Sequence, residues 1–230
     1  MVHIFVLNPV STSIWNELTE KTLRRIACPS TRFTVENLEK GPKSIESELD
    51  VVSASPYVVE KIAEAQEKGY NVAVINCFDD PGLEAAREKA SMLVLGVGET
   101  SIISALHLGY KFAIISTGEK SKASYDLKAL KLGVRSRLAY TSGISTKVLD
   151  LRKDEEKTKQ LLLEEAVKAV EEFHAEVIVL GCSGMIGLAE WLSEKINVPV
   201  IDPTITTFKI AEALASIGIK HSKKYLYRVD

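Results

Sequence analysis

The sequence predicts an α/β fold made of two similar parallel-sheet domains, and three observations carry that expectation. Short unbroken apolar runs, such as residues 2–7 and 72–75, alternate with stretches of helical periodicity, the pattern of strands buried on both faces between covering helices. The run Val72-Ala73-Val74-Ile75-Asn76-Cys77 has a counterpart in Val177-Ile178-Val179-Leu180-Gly181-Cys182, and each reaches Gly-Leu five and six residues after its cysteine. The cysteine positions differ by 105, and the first strand, residues 3–8, has a partner at 111–116 shifted by 108. A duplicated unit follows. The halves are expected to be related by a pseudo-two-fold axis, with the active site in the cleft between them. Residues 1–97 plus about 208–230 form the expected first domain and residues 98–207 the second.

In chain order, residues 2–7 form the first strand, which Asn8-Pro9 ends because proline has no N–H for the ladder. Ser11, Thr12 and Ser13 then suit the cap of a helix starting near Ile14. Residues 32–35 read as a second strand and 50–53 as a connecting segment. Apolar spacing at Val58, Ile62 and Ala65 predicts a helix over 57–68, closed by Gly69. After the first cysteine strand, Asp80 as cap and Pro81 as first-turn residue predict a helix over 81–90. Residues 92–96 are a fourth strand, and a helix runs from Gly98 to Gly109.

The second half repeats the plan, with a strand over 112–116 and a helix over 124–131. Residues 134–140 read as a strand whose alternation, with Arg135 and Arg137 pointing one way, assigns it to a sheet edge. The longest helix spans 154–174. The second cysteine strand, a helix over 188–195, a strand over 199–202 and a helix over 206–216 that returns to the first domain complete the chain.

The bulk properties narrow the function. A chain of 230 residues with 46% hydrophobic and 26% charged side chains can build a sizeable core. With a net charge of −2 and interleaved Lys and Glu, no basic field exists for a phosphate backbone, so nucleic acid is excluded as a partner. The opening residues lack a basic leader and no apolar run has membrane-spanning length, so a cytoplasmic protein without a membrane partner is expected. Three cysteines in such a chain read as thiols. The four histidines are scattered without metal-ligand spacing, and no phosphate-cradling glycine motif occurs.

Cys28, in Arg24-Arg25-Ile26-Ala27-Cys28-Pro29, reads as a small packing residue. Cys77 and Cys182 differ, because both close a strand and both precede an expected helix start, where a thiolate is favoured. Two opposed thiols can racemise a carbon acid. One, as thiolate, takes the proton from one face, and the other, as thiol, returns a proton to the opposite face of the planar carbanion. Such a pair titrates as a unit.

Asn76-Cys77-Phe78-Asp79-Asp80-Pro81-Gly82, Leu180-Gly181-Cys182-Ser183-Gly184-Met185 and the opening Asn8-Pro9 resemble the hydantoin racemase family of the aspartate/glutamate racemase superfamily, over nearly the whole chain. Gly96-Val97-Gly98-Glu99 and Pro199-Val200-Ile201-Asp202 fall where that family has comparable segments. The resemblance implies cofactor-independent racemisation of a 5-substituted hydantoin or of allantoin, with Cys77 and Cys182 as the acid/base pair. Asn8, Ser11, Thr12, Phe78, Thr117, Gly118, Ser183 and Gly184 are the expected substrate contacts, since the strand-end loops of the two halves offer backbone N–H groups to ring carbonyls and to a developing enolate. The loop residues serve equally as helix caps, and Asp79 and Asp80 read as caps. Phe78 and Ser183, where amino-acid racemases have polar residues and Thr, favour a neutral ring. Val10 departs from the polar residue usual in the family's Asn-Pro-Asn-Thr-Ser. The alternatives are an aspartate or glutamate racemase, a thiol-dependent decarboxylase or isomerase, and a non-catalytic small-molecule-binding protein. The oligomeric state is left open, a homo-oligomer included.

Overall fold

The computed structural model describes residues 1–228. It divides into two compact units, Met1–Val97 with the chain from Thr204 onward, and Gly98–Pro203.

The first unit holds β1 (Val2–Asn8), α1 (Asn16–Arg24), β2 (Thr31–Asn37), α2 (Glu48–Glu67), β3 (Val72–Ile75), α3 (Leu83–Lys89) and β4 (Leu93–Gly96). The strands form one parallel sheet in the order β2-β1-β3-β4. Side chains alternate across it with period two. Phe5, Leu7, Ala73 and Ile75 pack with Ala54, Val58 and Ile62 of α2 and with Leu83 and Ala86 of α3. Ile4, Val6, Val72 and Val74 face the other way, onto Leu23 of α1 and Phe208 and Ala211 of the last helix, α8 (Pro203–Ser216). The return of α8 thus closes a face that would otherwise expose an apolar sheet. Each fully buried side chain of this kind contributes roughly 1.5–3 kcal/mol.

Several elements depart from the sequence reading. Helix α2 starts at Glu48, well before Tyr57, because Ser47 caps it: Asp50 N donates to Ser47 Oγ at 3.2 Å while Ser47 Oγ donates back to Asp50 at 2.7 Å. Pro56 lies inside that helix. The carbonyl it leaves without an N–H belongs to exposed Val52, where water can serve. Helix α1 starts at Asn16 without a side-chain cap, since Ser11 Oγ and N–H are taken by Gly41 O and Pro42 O, each at 2.8 Å. Cys28 is exposed and so is not a packing residue. Its N–H donates to the buried Glu212 at 2.8 Å, and its thiol lies 3.4 Å from both Glu212 and Lys209. Val10 is buried in the core against the α2 face, which explains an apolar side chain there.

The second unit holds most of α4 (Val97–Ala105), then β5 (Phe112–Thr117), α5 (Ser121–Lys131), β6 (Leu138–Ile144), α6 (Glu155–Glu171), β7 (Val177–Leu180), α7 (Ala189–Ile196) and β8 (Val200–Ile201). Its parallel order β6-β5-β7-β8 repeats the first sheet strand for strand. Leu7 pairs with Ile75 in one sheet and Ile115 with Leu180 in the other, so the shifts of 108 and 105 describe one register in two copies. Strand β6 is at the edge, as its alternation implied, but begins at Leu138. Arg135–Arg137 form a 3₁₀ turn, which mimics alternation over three residues. Among the described residues no helix is long and apolar enough to cross a membrane.

Candidate functional site

Each cysteine sits two residues beyond the last residue of the third strand of its sheet, at the carboxyl ends, where α/β sheets collect ligands. Two backbone hydrogen bonds recur in both copies. The residue before the cysteine extends the ladder onto the neighbouring strand: Asn76 N donates to Leu7 O at 2.8 Å, and Gly181 N to Ile115 O at 2.7 Å. The cysteine carbonyl then accepts the N–H three residues on, Asp80 to Cys77 and Met185 to Cys182, both at 3.0 Å. Each thiol is thus presented at the start of a tight turn, half-buried.

Leu83, the first residue of α3, comes six positions after Cys77 and two later than expected, whereas a three-residue 3₁₀ turn, Ser183–Met185, follows Cys182 before α7 begins at Ala189, one residue past its expected start. Asp80 is not the cap of α3. It is buried with φ 53, and its carboxylate lies against Gly96, where a Cβ would come within 2.4 Å of Oδ1. The position before α3 is Gly82, in the left-handed region. A turn that must first bury Asp80 leaves no residue free to start the helix at Pro81.

Beneath Cys77 runs a chain of amides. Thr204 Oγ1 donates to Asn76 Oδ1 at 2.7 Å and Asn76 Nδ2 to Asn8 Oδ1 at 2.7 Å. Asn8 Nδ2 donates to Asn16 Oδ1 at 2.8 Å, Asn16 Nδ2 to Asn37 Oδ1 at 2.9 Å, and Asn37 Nδ2 to Leu38 O at 2.7 Å. All donate in one direction, so each bond polarises the next. Asn8 is therefore buried and engaged by protein on both its oxygen and its nitrogen. Its side chain is part of the amide chain. Phe78 is also buried, while Ser11 and Thr12 are half-buried in the loop after β1.

In the second unit Gly181 replaces Asn76. A Cβ at Gly181 would stand 2.6 Å from Ser116 Cβ, and its carbonyl accepts Ser116 Oγ at 2.6 Å and Tyr125 OH at 3.1 Å. Thr117 is half-buried at the end of β5. Gly118 has φ 70, and its N–H already donates to Ile144 O at 2.9 Å, so it is not a donor to a ligand. Ser183 and Gly184 open the 3₁₀ turn, and their N–H groups have no acceptor within it. Ser183 Oγ is buried and, among the described residues, meets no hydrogen-bond partner. Thr207 Oγ1 is the other such hydroxyl among the described residues.

Three supports were invisible to motif reading. Asn16 and Asn37 enter the amide chain only through the fold, and Arg152, distant in sequence, donates to the carbonyls of Gly184 at 3.2 Å and of Ile186. Only Asp202, at the end of the last strand, carries a position-based signal. Its carboxylate accepts Gly187 N–H at 2.7 Å.

The family model for Asp/Glu/hydantoin racemases matches residues 4–211. A hydantoin racemase from Pseudomonas sp. (strain NS671) is 34% identical over 225 residues, covering 98% of this chain and 90% of that one. Among solved structures, the allantoin racemase from Klebsiella pneumoniae superposes with a TM-score of 0.95 at 31% identity, over 100% of this chain and 94% of that one. The allantoin racemase from Pseudomonas fluorescens gives 0.95 at 25% identity, over 100% and 97%.

Proposed function

The chain belongs to the Asp/Glu/hydantoin racemase family, and from that premise we propose that it interconverts the enantiomers of a cyclic ureide, a 5-substituted hydantoin or allantoin, using Cys77 and Cys182 as two bases. As a racemase it is an isomerase. The observation that carries the reading is the duplicated placement of the two cysteines, with matching ladder and turn bonds around each. A reaction whose product is the mirror image of its substrate needs the same chemistry on both faces, and a duplicated cysteine supplies it.

In the forward direction one cysteine, as thiolate, removes the proton on the stereogenic ring carbon, and the electron pair passes into the adjacent carbonyl as an enolate. The other cysteine, as thiol, delivers its proton to the opposite face and becomes the thiolate. The reverse reaction exchanges the roles. The N–H groups of Ser183 and Gly184 and the hydroxyl of Ser183 suit the enolate oxygen or a ring carbonyl, because an acceptor there satisfies donors that have no partner within the turn. Arg152, the basic side chain bonded to the Cys182 turn, is turned to backbone carbonyls and Glu155.

Polarimetry on a panel of 5-substituted hydantoins, allantoin, aspartate and glutamate tests the reading. Loss of rotation with a cyclic ureide and none with the amino acids is expected. Racemisation confined to aspartate or glutamate would replace the substrate class, and inertness towards the whole panel would remove the activity.

A further inference from the structure

We propose that Arg152 is a positioning residue for Cys182, a guanidinium clamp that fixes the turn presenting that thiol and the Ser183 and Gly184 N–H groups. The proposal deepens the racemase reading and rests on it for its catalytic consequence.

Two carbonyls on the far side of the turn, those of Gly184 and Ile186, are held by one planar group. Arg152 Nε donates to Gly184 O at 3.2 Å and Nη2 to Ile186 O. The N–H ends of the same two peptide planes are held as well: Met185 N–H bonds to Cys182 O at 3.0 Å, and Gly187 N–H to Asp202 at 2.7 Å. Each plane is therefore fixed at both its oxygen and its nitrogen, one of them through the carbonyl of Cys182 itself. A peptide plane fixed at both ends cannot rotate, so the N–H groups opening the turn keep their direction. Arg152 is in turn anchored. Nη1 donates to Glu155 at 2.8 Å, and the preceding residue Leu151 is buried, with its carbonyl accepting Thr158 Oγ1 at 2.9 Å.

The clamp works through shape more than charge. Glu155 neutralises the guanidinium, and the hydrogen bond from Arg152, ahead of those from Lys159, holds the Glu155 carboxyl below its ordinary range. The pair therefore adds little net field at the thiol. What Arg152 supplies is a rigid fork whose donors diverge towards two carbonyls and a carboxylate, a geometry that a lysine ammonium cannot reproduce.

The test uses the full chain, with Arg152→Lys and Arg152→Ala compared with wild type in deuterated buffer. Because a racemase must lose inversion equally in both directions, inversion alone cannot locate a defect. Exchange without inversion can. Arg152→Lys is expected to lower deuterium entry about 100-fold from the enantiomer deprotonated by Cys182, the scale of an ångström-sized misplacement, and to leave entry from the other enantiomer near wild type. Added guanidinium ion, far below denaturing concentrations, should restore part of the loss in Arg152→Ala, and ammonium ion should not. Alkylation by iodoacetamide reads the clamp without substrate: the Cys182 rate should change several-fold in both variants while the Cys77 rate holds. Equal losses from both enantiomers, or full activity in Arg152→Lys, would overturn the proposal. An inert wild type would overturn the racemase reading, leaving the alkylation ratio to decide whether the clamp exists. Thermal melting of both variants separates misfolding, which would move both cysteines together, from the asymmetric loss expected.

Discussion

The two cysteine turns share two backbone hydrogen bonds and differ in what lies beneath them. Under Cys77 the supporting residue is Asn76, whose side chain joins a buried amide chain from Thr204 to Leu38. Under Cys182 the equivalent residue is Gly181, which has no side chain and is held through its carbonyl by Ser116 and Tyr125. Asn8 and Ser116 stand at the same register, so one position supports its neighbour by an amide in the first unit and by a hydroxyl in the second. The difference teaches that the two copies keep the cysteine and the two backbone bonds around it, while each satisfies the polar groups below in its own way.

Exchanging the two supports breaks the comparison most severely. Gly181→Asn forces a side chain onto Ser116, and overpacking of this kind should lower stability by about 3 kcal/mol in a urea titration. A variant as stable as wild type would mean that the glycine is not required by packing. The reverse change, Asn76→Gly, overpacks nothing but deprives Asn8 Oδ1 of its donor in a buried position. It should cost about 2 kcal/mol by the same measurement.

Ser183→Ala sharpens the contrast between support and site. Removing a buried hydroxyl with no partner should leave the melting temperature of the ligand-free protein unchanged or raised, whereas KM for the ureide rises about tenfold if the ligand satisfies that group. A lower melting temperature with unchanged KM would show that the hydroxyl supports the fold alone.

The smallest effect concerns Glu155, partly exposed and so screened. Its carboxyl is held below the ordinary value of 4.5 by the hydrogen bond from Arg152. The stability it contributes is complete above that ordinary value and is lost as the pH falls through the lower folded-state value. Wild type should therefore exceed Glu155→Gln by no more than about 1 kcal/mol at neutral pH, and the gap should close on acidification below that value. A gap that widened on acidification would contradict this sign.

What could be read from the sequence follows from how local each feature is. Strands β1, β3, β5 and β7 are buried on both faces, so their composition announces them and the cysteines at their ends. Strand β6 has one partner strand, and its start was obscured by Arg135 to Arg137, whose 3₁₀ turn places charges in near alternation. Pro56 concealed the first turns of α2, because a proline that breaks a buried helix is tolerated where the orphaned carbonyl is exposed. The cysteine turns were legible as motifs and the start of α7 to within a residue, but α3 starts two residues later than expected, where Asp80 is buried against Gly96. Asn16, Asn37 and Arg152 meet the site only after distant elements are packed, and no spacing along the chain encodes them.

The central claim, that the two cysteines serve opposite faces of one carbon, is tested most directly by deuterium entry into each separate enantiomer with Cys77→Ser and Cys182→Ser. A serine hydroxyl has too high a pKa to act as the base near neutrality. Each variant should lose inversion in both directions yet keep exchange from one enantiomer, and the retained enantiomer should be opposite for the two variants. Full racemisation by either variant, or the same enantiomer retained by both, would contradict the account.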